Sequence, residues 1–108
     1  MKIVCIVLSG VMAAVFSAPN AFAEQSNPND TGEKKFAEQC SVCHVNGGNI
    51  INPEKTLLRK DREAYGVKSA EDIIKIMRKP GPGMTTFDEK TISNTDAHAI
   101  AEYILRTF

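Results

Sequence analysis

Hydrophobic residues are arranged in two different ways along this 108-residue chain. Residues 3–18 form a nearly continuous apolar run, broken only by Ser9, Gly10 and Ser17. From about residue 30 onward, apolar residues instead recur three or four positions apart among charged ones, which is the spacing of amphipathic helices. No stretch alternates strictly between apolar and polar residues for long enough to indicate a strand. The pattern predicts an apolar N-terminal segment followed by an all-α domain.

The first predicted helix runs from about residue 31 to a closely spaced pair of cysteines. Asp30 can cap its first turn by accepting hydrogen bonds from backbone N–H groups. Gly32, Phe36 and Cys40 follow at four-residue steps, so they share one face of the helix. We expect this face to pack against the rest of the domain.

A second helix is predicted after a glycine-rich loop. Asn52 is a good capping residue, and Pro53 suits the first helical position, where its missing N–H costs nothing. Gly66 can stop this helix just after Tyr65.

Two further helices are predicted by serine caps. One follows Ser69 and must stop at Pro80, while the other follows Ser93 and continues towards the C-terminus. The expected buried stripe of the first contains Ile73, Ile76 and Met77, beside Ile74. That of the second contains Ala97, Ile100, Ala101 and Ile104. The predicted fold class is therefore all-α, with about four short helices.

The N-terminal segment has the three parts of a secretory signal peptide. Lys2 supplies a positive charge, the apolar run follows, and the segment ends in a small-x-small pattern at Ala23. The run is shorter than the roughly 20 residues that a membrane-spanning helix needs, which favours cleavage over retention as an anchor. We predict a cleaved signal peptide at 1–23, a flexible segment at 24–29, and one domain at 30–108 located in the periplasm.

Charge and size restrict what this domain can be. Lys2 is the only charged residue of the predicted signal, so the rest of the chain has one more acidic than basic side chain. Bulk electrostatics therefore give no reason to expect nucleic-acid binding. A domain this small often needs a disulfide, a metal or a cofactor to stabilise its core. A disulfide between Cys40 and Cys43 would close almost no loop and stabilise little.

The sequence Gln39-Cys40-Ser41-Val42-Cys43-His44 contains the main candidate chemistry. Four interpretations compete. A zinc site made of Cys40, Cys43, His44 and His98 lacks a second ligand pair and has poor geometry at the adjacent Cys-His. A redox dithiol would be expected within a βαβ pattern, and the sequence shows none around the motif. The third interpretation is a plain structural disulfide or an accidental match to the motif.

The fourth interpretation is covalent attachment of haem c. Two thiols at the end of a helix can reach the two vinyl groups along one porphyrin edge, and His44 then lies beneath the ring with one nitrogen on iron. The predicted export signal agrees, because c-type haem is attached outside the cytoplasm. We favour this interpretation, with Cys40 and Cys43 as attachment residues, His44 as an axial ligand and one haem c per chain.

The second axial ligand is expected to be Met84. It follows Pro-Gly-Pro-Gly, a stiff loop in which core filling is a weak explanation for a methionine and glycines allow close approach to a flat cofactor. Met77 is the main alternative, although its place on an apolar helical stripe is typical of a core residue. His98 lies off the apolar stripe of the last helix, and we expect it to face solvent.

Taken with this motif, several other segments resemble the class I monohaem cytochromes c, the small soluble bacterial and photosynthetic electron carriers. The resemblance covers about residues 30–107 and rests on five features. They are Gly32 and Phe36 before the motif, the glycine-rich loop 47–53, the methionine loop 81–87, and the alanine-rich helix 97–103.

The resemblance implies a class I cytochrome c fold, with the helices wrapped around one covalent haem. It also implies that the first and last helices cross near Gly32, with Phe36 and Tyr103 in contact. A carbonyl near Asn52 or Pro53 is expected to accept the free imidazole N–H of His44.

The resemblance further implies a one-electron carrier that is not an enzyme. Its expected partners are periplasmic or membrane-bound redox proteins, and we expect a monomer with no stable membrane insertion of the mature chain. Two other functions stay open at this point. One is a haem subunit dedicated to a larger redox enzyme, and the other is a haem-based sensor or ligand-binding protein.

Overall fold

The computed structural model describes residues 27–108, together with 10–11 and 14–15. The predicted signal peptide, 1–23, lies outside the described residues except for those four positions, and it stays a prediction. The predicted flexible segment 24–29 is described only from Asn27 onward. In the described part of the chain, no helix has both the length and the apolar character needed to cross a bilayer.

Residues 27–108 form four α-helices and one 3₁₀ turn, and they contain no strand. In chain order these elements are α1 (Pro28–Gln39), the 3₁₀ turn (Val45–Gly47), α2 (Arg59–Ala64), α3 (Ala70–Arg78) and α4 (Asn94–Thr107). Helix α4 packs against both α1 and α3. The predicted all-α fold with four short helices is confirmed.

The crossing of α1 and α4 depends on a glycine. Gly32 is buried in α1, directly against the backbone of Ala99 in α4. One turn further along, the Phe36 ring lies 5.2 Å from the Tyr103 ring and 5.5 Å from the Phe108 ring, measured between centroids. The expected crossing near Gly32 and the Phe36–Tyr103 contact are both confirmed.

We expect Gly32→Ala to lower the free energy of unfolding by up to about 2 kcal/mol. The added Cβ would lie 2.8 Å from the Ala99 carbonyl carbon and 3.0 Å from the Tyr103 Cβ, so a helix must move. Overpacking of this kind costs about 1–3 kcal/mol, against a gain of about 1 kcal/mol in helix propensity. Denaturant unfolding measures the change. Glu38→Ala, at an exposed position of the same helix, is the control; equal stabilities for the two variants would contradict the prediction.

The serine caps predicted for α3 and α4 are both present. The Ser69 hydroxyl accepts from the Asp72 N–H at 3.2 Å, and the Asp72 carboxylate accepts from the Ser69 N–H at 3.1 Å, which completes a capping box. Backbone hydrogen bonds from Lys68 and Ser69 hold the pKa of Asp72 below its usual value. Ser93 likewise accepts from the N–H of Asp96 at 3.1 Å.

Helix α1 begins earlier than the sequence indicated. Asn27, rather than Asp30, is the capping residue, and its side chain accepts from the Asn29 N–H at 3.1 Å. Pro28 then occupies the first turn, where a proline is well tolerated. The expected start near residue 31 was wrong by about one turn.

The predicted start of α2 is also wrong. A helix was expected from Pro53, but α2 begins only at Arg59 and has six residues. Its predicted end is confirmed, because Tyr65 is the C-terminal cap and Gly66 follows with a φ of 76°.

Hydrogen bonds from outside the segment explain this late start. The Asn49 side chain accepts from two backbone N–H groups just after it and donates to the Lys55 carbonyl at 2.9 Å. The Leu57 N–H donates to the Gly47 carbonyl at 2.7 Å. Helix formation from Pro53 would have to break these bonds, so the chain stays in a loop along one wall of the domain.

The hydrophobic core lies between α1, α3 and α4. All four predicted stripe residues of α4 are buried, whereas Ile76 of the predicted α3 stripe remains 38% exposed. The buried apolar residues are Phe36, Ala70, Ile73, Met77, Phe87, Ile92, Ala97, Ile100, Ala101 and Ile104.

Candidate functional site

The Cys-x-x-Cys-His segment is a compact turn that continues directly from α1. The Cys40 N–H donates to the Phe36 carbonyl at 2.9 Å, as in a last helical turn. Cys43 and His44 then donate their N–H groups to the Cys40 carbonyl at 3.2 and 3.0 Å. These successive turns keep both cysteines and the histidine half-buried, while Val42 between them is 75% exposed.

The orientation of His44 is fixed by a backbone carbonyl. Its Nδ1 lies 2.7 Å from the Gly48 carbonyl oxygen, and because that oxygen can only accept, Nδ1 must be the donor. In the neutral ring, Nε2 then keeps its lone pair free for a metal. The family resemblance implied an acceptor near Asn52 or Pro53, which is wrong, since the chain turns back sooner and brings Gly48 to the ring.

The early reversal depends on two residues with left-handed backbone conformation. Asn46 has a φ of 53° and Gly47 a φ of 77°. A Cβ on Gly47 would lie 2.8 Å from Cγ of Phe108, so the ring of Phe108 packs directly on this backbone. The Phe108 carbonyl also accepts from the Arg59 N–H at 3.0 Å. The end of α4 therefore supports the loop that supplies the partner of His44.

One apolar cavity of about 540 Å³ brings the predicted site residues together. Cys40, Cys43 and His44 contribute to its wall, and so do both candidate methionines, Met77 and Met84. Core side chains form much of the remaining surface: Phe36, Ile73, Phe87 and Ile104. The cavity thus combines two thiols, an oriented imidazole and thioether sulfur on an apolar surface.

The two methionines differ in their surroundings. Met77 is 3% exposed and belongs to the core, as its place on the α3 stripe indicated. Met84 is half-buried and lies in the loop between α3 and α4. Its backbone is anchored on one side by Phe87, which is buried and donates its N–H to the Met77 carbonyl at 2.9 Å.

The structure does not bring His98 to the cavity. It is exposed on α4, as expected, and is absent from the cavity wall. Cys40 and Cys43 are free thiols rather than a disulfide. Burial raises the pKa of the Cys40 thiol to about 11, so it stays protonated near neutral pH, unlike the activated thiol of a redox dithiol.

Two arginines near the site were missed in the sequence. Arg62 is 5% exposed, lines the cavity, and donates from Nε to the Leu57 carbonyl at 2.7 Å. Burial lowers the pKa of its guanidinium, which nevertheless stays charged. Arg78 donates from its guanidinium to the carbonyl of Phe87, at the end of the methionine loop. No local pattern distinguishes either residue from an ordinary exposed helical arginine, because the carbonyls to which they donate lie outside their own helices.

These residues fit a covalently attached haem. A flat, largely apolar macrocycle suits the cavity wall, the paired thiols suit thioether attachment, and the free Nε2 of His44 suits iron. The buried guanidinium of Arg62 can balance acidic groups on the rim of such a ring. The helical fold and this site together define the class of small monohaem cytochromes c.

Known proteins agree with this class. Residues 27–104 match the family described as cytochrome c oxidase, cbb3-type, subunit III. Cytochrome c6 of Cyanidium caldarium is 31% identical over 104 residues, covering 96% of this chain and 92% of that protein. Cytochrome c6 of Nostoc sp. is 33% identical over 106 residues, covering 96% of this chain and 91% of its own.

A solved structure agrees as well. Outer membrane cytochrome F (OmcF) of Geobacter sulfurreducens is 45% identical, covers 71% of this chain and 98% of its own, and superposes with a TM-score of 0.70. The chain therefore belongs to the cytochrome c family, as a small monohaem class I member whose cofactor is haem c. The predicted family, fold and cofactor are confirmed, whereas the roles of individual site residues stay predictions.

Proposed function

We propose that the protein is a periplasmic one-electron carrier whose haem c is attached through Cys40 and Cys43, with His44 and Met84 as axial ligands. The observation that carries the proposal is the convergence of these four side chains on one apolar cavity. The apolar N-terminal segment with the features of a signal peptide supports export to the periplasm.

The chain's own residues define what such a haem can do. The cofactor supplies a one-electron iron couple when bound. If His44 and Met84 both bound the iron, no position would be left open for a substrate, and electron transfer would be favoured over catalysis. The hydrogen bond from Nδ1 of His44 to the Gly48 carbonyl fixes the tautomer and orientation of the ligand. The apolar cavity wall would border such a ring with surroundings of low polarity, another factor that controls reduction potential.

The carrier is proposed to diffuse as a monomer and to hand electrons between larger redox proteins. The similarity to proteins named cytochrome c6 supports the electron-carrier part of this proposal. A second candidate is a haem subunit dedicated to one redox enzyme, because the matching family is described as an oxidase subunit. A haem-based sensor would need a coordination position on the iron that is open, or one whose protein ligand dissociates easily.

One set of spectra tests the proposal on the exported, purified protein. We expect the haem to remain with the chain in acidified organic solvent, and the reduced spectrum to be unchanged by carbon monoxide. Release of free haem would disprove attachment through the two cysteines, and a carbon monoxide complex would favour the sensor.

Size-exclusion chromatography of the periplasmic extract separates the other two candidates, since a carrier elutes as a monomer and a dedicated subunit elutes with its enzyme.

A further inference from the structure

Arg78, the last residue of α3, connects three parts of the chain. Its Nη1 donates to the Phe87 carbonyl at 3.0 Å and to the Ile92 carbonyl at 2.8 Å. Its Nη2 donates to Oδ1 of Asn94, the first residue of α4, at 2.9 Å. One guanidinium therefore joins the end of α3, the far end of the methionine loop and the start of α4. A planar fork of donors suits this task, whereas a lysine ammonium has no such fixed geometry.

Near Met84 the loop between α3 and α4 is held by few hydrogen bonds, and its nearest side-chain contact is that of Ile51 on Gly83. Gly81, Pro82 and Gly83 are all exposed, and the Met84 N–H reaches the Gly81 carbonyl only at 3.5 Å, the outer limit of a hydrogen bond. The firm attachment begins at Phe87, three residues beyond Met84. There the backbone N–H donates to Met77, and the carbonyl is held by Arg78.

We propose that Arg78 is a positioning residue that keeps the Met84 thioether directed into the cavity, so that Met84 outcompetes foreign ligands for the haem iron. This inference rests on the proposed ligation by Met84. The prolines of the loop limit its local conformations, but the anchor at Phe87 determines where the loop ends. Without Arg78, the Phe87 and Ile92 carbonyls lose their donor, and the end of the segment that carries Met84 is held only by the Phe87 N–H bond to Met77 and the buried Phe87 ring.

The test is a titration of the oxidised holoprotein with imidazole. Imidazole can bind the haem iron only by displacing the protein's own second axial ligand. We expect Arg78→Gln to increase the apparent affinity for imidazole at least tenfold, because Met84 is held less firmly. Arg78→Lys keeps the charge but not the fork, and it should give a smaller increase. Arg59→Gln is the matched control, since the Arg59 side chain is exposed and pairs with Glu63 on the same helix, and it should leave the affinity unchanged.

Stability and ligation are separated by measuring unfolding on the same variants. If Arg78→Gln lowers the unfolding free energy but binds imidazole no better than Arg59→Gln, Arg78 only stabilises the fold and the proposal is overturned. Arg78→Lys serves the same comparison if the glutamine variant does not fold.

The same titration in the Met84→Leu variant distinguishes failure of the positioning role of Arg78 from failure of the proposed ligation by Met84. Met84→Leu should by itself raise imidazole affinity, and adding Arg78→Gln to it should then change little, because both act on one ligand. If Met84→Leu leaves the affinity unchanged, Met84 is not the ligand and both proposals fall. If the two changes add fully, Arg78 acts independently of Met84 and only the positioning role is lost.

Discussion

Met84→Leu is expected to abolish the weak absorption band near the red end of the oxidised spectrum and to lower the reduction potential by about 0.1–0.3 V. Axial ligands set haem potentials over a range of roughly 0.8 V, and a methionine thioether is among those that raise the potential. Leucine keeps nearly the same volume but has no sulfur, so the loop should still pack while its ligand is lost. Absorption spectra and a redox titration measure the two effects.

Met77→Leu is the matched control for this prediction. Both methionines line the same cavity, and both substitutions remove one thioether at nearly constant volume. Met77 is 3% exposed and packs within α3, so its replacement should cost some stability and leave both the band and the potential close to those of the parent. Loss of the band in Met77→Leu, with its retention in Met84→Leu, would exchange the roles of the two residues.

The elements that the sequence predicted well are those whose signals are local. The caps at Ser69 and Ser93 are bonds between residues three apart, so the sequence itself contains both partners. The stop at Gly66 likewise depends on one residue that tolerates a positive φ. The buried stripe of α4 follows from helical spacing alone.

Two of the wrong predictions, the start of α2 and the partner of His44, depend on how residues 44–57 fold back on themselves. The wrong start of α1 instead passed over a local cap at Asn27. Asn52 and Pro53 have the composition of a helix start, but the Asn49 side chain binds the backbone around them and keeps it in a loop. The partner of His44 was placed in this same loop by the family resemblance, whereas Asn46 and Gly47 reverse the chain first and bring the Gly48 carbonyl to the ring. A pattern read along the chain does not show which side chain will take a backbone group from another segment.

The candidate site likewise contains residues that a local motif identifies and residues that it does not. Cys40, Cys43 and His44 form a short motif whose spacing can be recognised directly, and the structure places all three on the cavity with Met84. Arg62 and Arg78 could not be found in this way. The burial of Arg62 and the three acceptors of Arg78 exist only after α2, α3 and the methionine loop have folded together.

Cys40→Ser/Cys43→Ser, purified without haem, is expected to lack a cooperative unfolding transition. The 540 Å³ cavity is bordered by core residues of α1, α3 and α4. Without haem, these helices lose the apolar surface on which all three would pack. At about 24 cal/mol per Å³, an empty cavity of this size costs up to about 13 kcal/mol, an upper limit because this one opens to solvent. Domains have only about 5–15 kcal/mol of stability in total. Circular dichroism during heating measures the transition, and Val42→Ala, which keeps both thiols, is the control. A cooperative melt of the haem-free double variant would show that the helices hold the fold without the cofactor.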